Sequence, residues 1–144
     1  MVSVEVSETI ARPPADVFAF VSDMRNESQW HTDVLQADLT AGTTVGQGST
    51  FAVRYKPMMG MSEATSTVVE YDPPRKVVFD IDMGKMHGTN TMVIEADGDA
   101  SRITRRVDVE PGGFLKIMSP VMGGMIRKAN AGFLANLKRV LEGS

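Results

Sequence analysis

Residues 114–141 read FLKIMSPVMGGMIRKANAGFLANLKRVL. Apolar side chains recur there at Phe114, Ile117/Met118, Val121/Met122, Met125, Ala129, Phe133, Leu137 and Val140/Leu141, a spacing of three to four that lines them along one face of a helix. The stretch predicts one long amphipathic helix, broken near Ser119-Pro120. Its apolar stripe needs a partner. Almost everything before it has the character of strands, so the simplest partner is an antiparallel sheet curved around the helix, with the space between them open to a ligand.

Working outward to the N-terminus, Val2, Val4 and Val6 alternate with Ser3, Glu5 and Ser7, a half-buried strand running to about Ile10. Pro13-Pro14, Asp16 and the apolar group Val17, Phe18, Phe20 and Val21 predict a short helix to about Asp23. A second short helix is expected over Arg25 to His31, ending at Trp30, and then a strand over Asp33 to Thr40. Gly42, Gly46 and Gly48 mark a turn region. A meander follows: a strand through Phe51, Val53 and Tyr55, then Glu63 to Tyr71, Lys76 to Asp82, Gly88 to Ala96 and Ser101 to Glu110. The breaks between them are rich in proline, glycine and aspartate. Seven strands result, with no repeat or long linker, in a chain of 144 residues suited to one domain, 1–144.

The totals exclude several functions. A formal charge of −3 gives no basic face for nucleic acid or anionic lipid. There is no cysteine and there are two histidines, His31 and His87, which removes thiolate chemistry and makes a multi-histidine metal site improbable. No metal and no cofactor are expected, and no phosphate loop, nucleophile elbow or dinucleotide fingerprint is present. The N-terminal alternation is not a signal peptide and no run is long enough to span a bilayer. The expectation is a cytoplasmic protein without integral membrane association, monomer or homodimer. Eleven methionines against one tryptophan suit either an adaptable apolar surface or an ordinary core.

The segments Ile10-Ala11-Arg12-Pro13-Pro14-Ala15-Asp16-Val17-Phe18 with Asp23 and Trp30, Val45-Gly46-Gln47-Gly48, Val69-Glu70-Tyr71-Asp72-Pro73-Pro74-Arg75 and Leu137-Lys138-Arg139-Val140-Leu141-Glu142 together resemble the START-like, helix-grip (SRPBCC) superfamily, which includes polyketide cyclase/dehydrase and lipid-transport proteins. The resemblance covers nearly the whole chain. It implies an α+β helix-grip fold, a seven-stranded curved antiparallel sheet with two short helices and a long C-terminal helix over an apolar cavity. It also implies proteins that bind, or sometimes transform, hydrophobic ligands. The matching segments are scaffold elements, so they transfer the fold and not a chemistry.

In a meander alternate turns lie at one end. The turn after Lys56, with Met58, Met59 and Met61, the turn after Asp82, with Met83 and Met86, and the connection after Glu110, with Phe114, Leu115, Ile117 and Met118, therefore meet. They form either the mouth of a cavity or a closure folded onto the core. Phe51, Val53, Tyr55, Phe79, Ile81 and Val107, faced by Met118, Met122, Met125 and Phe133, are the candidate ligand-binding wall. Gly123, Gly124 and Gly132 suggest close approach or open space along the helix. Strict alternation puts Arg105 inward beside Val107, where it could anchor an acidic or carbonyl-bearing ligand. The favoured alternative, given Arg102 and Arg106 beside it, is a bulge or strand end that frees it to solvent. His87, Tyr55 and Arg105 are the catalytic candidates, and His31 has the same capacity to titrate near neutrality.

Three functions follow: binding or transport of a small hydrophobic molecule such as a lipid, polyketide or aromatic compound; a polyketide cyclase or dehydratase; and a protein- or membrane-interaction module using the methionine-rich rim.

Overall fold

The structure, a computed structural model, describes residues 2–58, 60–111 and 119–143; the side chains of Met58, Pro111, Ser119, Pro120 and Met122 are outside that description. Met59, Phe114, Leu115, Ile117 and Met118 lie outside the described residues altogether.

The chain runs β1 (Val2–Ile10), α1 (Pro14–Val21), a 3-10 helix (Met24–Gln29), β2 (Val34–Leu39), β3 (Thr50–Met58), β4 (Met61–Asp72), β5 (Lys76–Asp82), β6 (Met86–Asp97), β7 (Ala100–Pro111) and α2 (Ser119–Glu142). All seven strands form one antiparallel sheet in the order β1-β7-β6-β5-β4-β3-β2. This is the helix-grip arrangement that the resemblance implies. The second short helix expected from the sequence is present as a 3-10 helix, with the Asp23 side chain accepting from the Arg25 N–H at 3.0 Å at its start. The Asp97-Gly98-Asp99 break is a tight hairpin in which Gly98 takes φ +62°, a conformation costly for other residues.

Bulges bend the sheet. The β2–β3 register shifts between Val34 and Gln36, and the β4–β5 register between Val68 and Glu70. The residues left over, Leu35 and Val69, are two large apolar side chains that face solvent. β7 has no such irregularity: it pairs residue for residue with β1 and with β6.

The core lies where α1, the concave face of the sheet and the C-terminal half of α2 meet. Ile10, Val17, Phe18, Val21, Ile94, Ile103, Phe133, Leu134, Leu137 and Leu141 are buried there. Polar groups fix the end of α2 in place. Arg12 donates to the Leu141 carbonyl at 2.8 Å, Lys138 donates to the Thr9 carbonyl at 2.8 Å, and the Ala11 N–H donates to the Glu142 carboxylate at 2.9 Å. A cation at a helix C-terminus satisfies carbonyls that lack intrahelical partners and complements the helix dipole.

The N-terminal half of α2 packs loosely. Val121 and Met125 are 62% and 60% exposed. A Cβ added at Gly123 would make ordinary contact with Val2, and one added at Gly124 would meet nothing.

Candidate functional site

Beneath that loose half of α2 lies a cavity of about 550 Å³. Its wall includes Ile81, Met83, Met86, Val107, Val109 and Met125; the polar side chains of Glu27, His31, Tyr55, Arg105 and Asn130 line one end, and the exposed Asp33, Lys56 and His87 also border it. The register locates that end. Arg105 pairs with Met92, whereas Met86 pairs with Pro111, so roughly 20 Å of strand separates Arg105 from the methionine rim at ~3.3 Å per residue. A wider groove of about 840 Å³ crosses the opposite face of the sheet past Gln36, Arg54, Glu63 and Asp82. It is open and polar, and lacks the apolar enclosure that a small-molecule site requires.

Arg105 organises the inner end. Because β7 is regular, alternation turns its side chain inward, and it is 4% exposed. The expectation that a bulge frees it to solvent is corrected: neither neighbour of β7 shows a register shift. Its Nε donates to Asn130 Oδ1 at 2.7 Å, and its guanidinium lies 5.2 Å from the centre of the Trp30 ring. Asn130 is held in turn by its own Nδ2, which donates to the Ile126 carbonyl at 2.8 Å. Among the described residues, Arg105 Nη1 and Glu27 Oε1 are buried with no hydrogen-bond partner.

The 3-10 helix supplies Glu27, which is 2% exposed. Its backbone carbonyl accepts from the Trp30 and His31 N–H groups at 3.1 and 2.8 Å, and Asn136 of α2 donates to the Trp30 carbonyl at 3.2 Å. This corner is thereby fixed beneath the helix. Burial raises the Glu27 carboxyl to about 7, against the lowering effect of Arg105. Burial and then Arg105 lower the His31 imidazole to about 3, so it is neutral at physiological pH. It stacks on Phe133 with centroids 3.8 Å apart. Burial and then the Glu27 charge push the Tyr55 phenol up, which keeps it a hydrogen-bonding group and not a base. Desolvation pulls the Arg105 guanidinium down, opposed by Glu27 and Tyr55.

Of the wall residues expected from the sequence, Tyr55, Ile81, Arg105, Val107, Met125 and Phe133 border the cavity. Phe51, Val53 and Phe79 do not; they are fully buried core. Alternation assigns a face, and these three share the inward face but lie where it is closed. Met118 and the Met122 side chain fall outside the described residues. At the rim, Met83 and Met86 border the cavity, while Met61 is buried against Val2 and Met86. Met58, Met59 and Phe114 are not described there. His87 also borders the cavity, but it is exposed and its Nε2 contacts Asp80 Oδ1 at 2.7 Å. It lies five residues along β6 from Met92, the partner of Arg105, about 16 Å away. His87, Tyr55 and Arg105 are not brought together as one constellation.

Sequence reasoning missed Glu27, Asn130 and the Trp30–Arg105 contact. One signal was available: Glu27 precedes Trp30 by three residues in a segment expected to be helical, so both fall on one side.

A curved sheet gripping a helix around a cavity with one polar end is START-like architecture. The chain belongs to the polyketide cyclase / dehydrase and lipid transport family, whose model matches residues 1–142. Solved structures agree on the fold. The protein TTHA0849 from Thermus thermophilus superposes with a TM-score of 0.78 at 18% identity over 99% of each chain. A START superfamily protein from Mycobacterium smegmatis gives 0.70 at 19%, over 98% of this chain and 94% of that one. The di-domain ARO/CYC BexL of the BE-7585A biosynthetic pathway gives 0.75 at 14%, over 96% of this chain and 46% of that one. No curated protein matches the chain in sequence. Among the described residues, no helix is long and apolar enough to cross a membrane.

Proposed function

We propose that this protein binds a small hydrophobic molecule in the cavity between the sheet and the N-terminal half of α2. The observation behind this reading is the cavity itself: about 550 Å³, with a largely apolar wall and a cluster of polar side chains around Arg105. At ~30 Å³ per water-sized atom, that volume accepts on the order of 18 non-hydrogen atoms, the size of a medium-chain lipid or a compound of a few fused rings. A wall of this kind discriminates weakly between homologous ligands, because one methylene is worth about 1 to 3 kcal/mol. Equilibrium titration with fatty acids, aliphatic alcohols and polyaromatic probes tests the reading. Saturable one-to-one binding is expected, and it should weaken in Val107→Trp, which narrows the cavity along its β7 wall. If no probe saturates, binding in this cavity is ruled out.

A second reading, a cyclase or dehydratase, draws support from one feature. Glu27, raised to about 7 beside Arg105, is an acid-base group poised near neutral pH, and BexL offers a structural precedent for such enzymes on this fold. On this reading Glu27→Gln abolishes turnover of a polyketide-like substrate while leaving its binding intact. Unchanged turnover in that variant excludes Glu27 as the acid or base.

A further inference from the structure

We propose that the inner end of the cavity is a head-group site for a monoanionic amphiphile. The ligand's carboxylate sits on Arg105, and Glu27 holds a proton so that it gives up its place as the counter-charge of the guanidinium. The proposal rests on the ligand-binding reading above and names the ligand's chemistry.

The argument starts from charge. Arg105 is buried, its one side-chain hydrogen bond among the described residues goes to the neutral Asn130, and its Nη1 has no partner. An aromatic face is its other neighbour. A buried cation needs a compensating anion. Glu27 is within electrostatic reach, yet its Oε1 also lacks a partner. Two unpaired groups of opposite sign therefore face one cavity, and a carboxyl head can satisfy both. One ligand oxygen accepts from Arg105 Nη1, and another accepts from the protonated Glu27. The charges then balance: one guanidinium, one ligand carboxylate, one neutral Glu27. A phosphate dianion would exceed that balance, and a neutral head would leave the cation uncompensated whenever Glu27 is protonated. From Arg105 the tail lies along Val107 and Val109 toward Met83 and Met86.

The remaining titratable groups on the wall are His31 and Tyr55 at the inner end, and the exposed Asp33, Lys56 and His87. The first two stay neutral near pH 7. Since Glu27 is raised to about 7, binding of the anion above that pH takes up one proton from solvent, and affinity falls tenfold per pH unit.

The test uses decanoate, decanol and decylammonium with the full chain. Trp30 is the single tryptophan, and its contact with Arg105 makes its fluorescence the readout. At pH 6 decanoate should bind at least tenfold more tightly than decanol, and decylammonium should bind most weakly. From pH 6 to pH 9 decanoate should weaken about 100-fold while decanol stays constant, and Glu27→Gln should make decanoate binding independent of pH. Equal binding of decanoate and decanol overturns the head-group site and leaves the ligand-binding reading standing. A decanoate affinity flat with pH in the wild type overturns the exchange of counter-charge. Saturable binding of none of the three defeats both the site and the reading beneath it. Should Arg105→Met fold, it should abolish the preference for decanoate; the wild-type comparison decides the matter without that variant.

Discussion

The two halves of α2 meet the same sheet and do opposite things. From Phe133 to Leu141 the helix seats Phe133, Leu134, Leu137 and Leu141 in a closed apolar core, and Arg12, Lys138 and Glu142 fix its end. Toward its start, Val121 and Met125 remain exposed, Gly124 faces open space, and beneath them sits a cavity holding a buried arginine and a buried carboxyl. One half serves stability. The other spends it, since buried groups without partners are costly and exposed apolar side chains add nothing to a core. The pocket lies under the half of the grip that is left loose.

The comparison can be broken most sharply by truncation. Leu137→Ala at the closed end should cost about 2 to 5 kcal/mol in denaturant unfolding, and Met125→Ala at the open end less than about 0.5 kcal/mol. Similar losses would mean that the two halves are packed alike.

The pH dependence of stability sharpens it next. Glu27 is raised from 4.5 to about 7 on folding, so between those values the native state holds a proton that the unfolded chain has released. Stability therefore falls as pH rises through that window, by on the order of 3 kcal/mol. His31 is lowered from 6.5 to about 3, so between these values the unfolded chain holds the extra proton and stability rises with pH. The two slopes oppose each other from pH 4.5 to 6.5, and this pair leaves the wild type flat there. Glu27→Gln should leave the His31 slope alone, with stability climbing across that window in unfolding experiments at stepped pH. An equally flat profile in the variant would show that Glu27 titrates normally.

Smaller effects come from the glycines. Gly88 borders the cavity, and a Cβ there would stand 3.0 Å from the Asp108 carbonyl oxygen, so Gly88→Ala should cost about 1 to 3 kcal/mol. Gly132 meets nothing, and Gly132→Ala should stabilise the chain by up to about 1 kcal/mol through helix propensity. Thermal melts of the two variants should move in opposite directions.

The same division shows what could be read from the sequence. The closed half was legible because period-two strands and a three-to-four helical stripe encode faces, and faces decide a core. The order of the meander also brought Met61, Met83 and Met86 together, as the register shows. The cavity was less legible because it depends on depth along a strand. Phe79 and Ile81 share a face and a strand, yet Phe79 is core and Ile81 borders the open space. Arg105 was obscured by Arg102 and Arg106, which made solvent exposure the better local guess. Only the unbroken pairing of β7 fixes its direction. Glu27 lies in a short 3-10 corner that a hydrogen bond from Asn136 to the Trp30 carbonyl ties to α2, a long-range contact that no local pattern announces.

The most direct test is native mass spectrometry of gently purified protein, with denaturing extraction and identification of whatever leaves on unfolding. The account predicts a retained amphiphile of up to about 18 non-hydrogen atoms, held in lower yield by Val107→Trp. An apo mass that stays apo when the protein is incubated with medium-chain acids and alcohols would contradict it, because the loose half of α2 would then cover a cavity that takes no ligand.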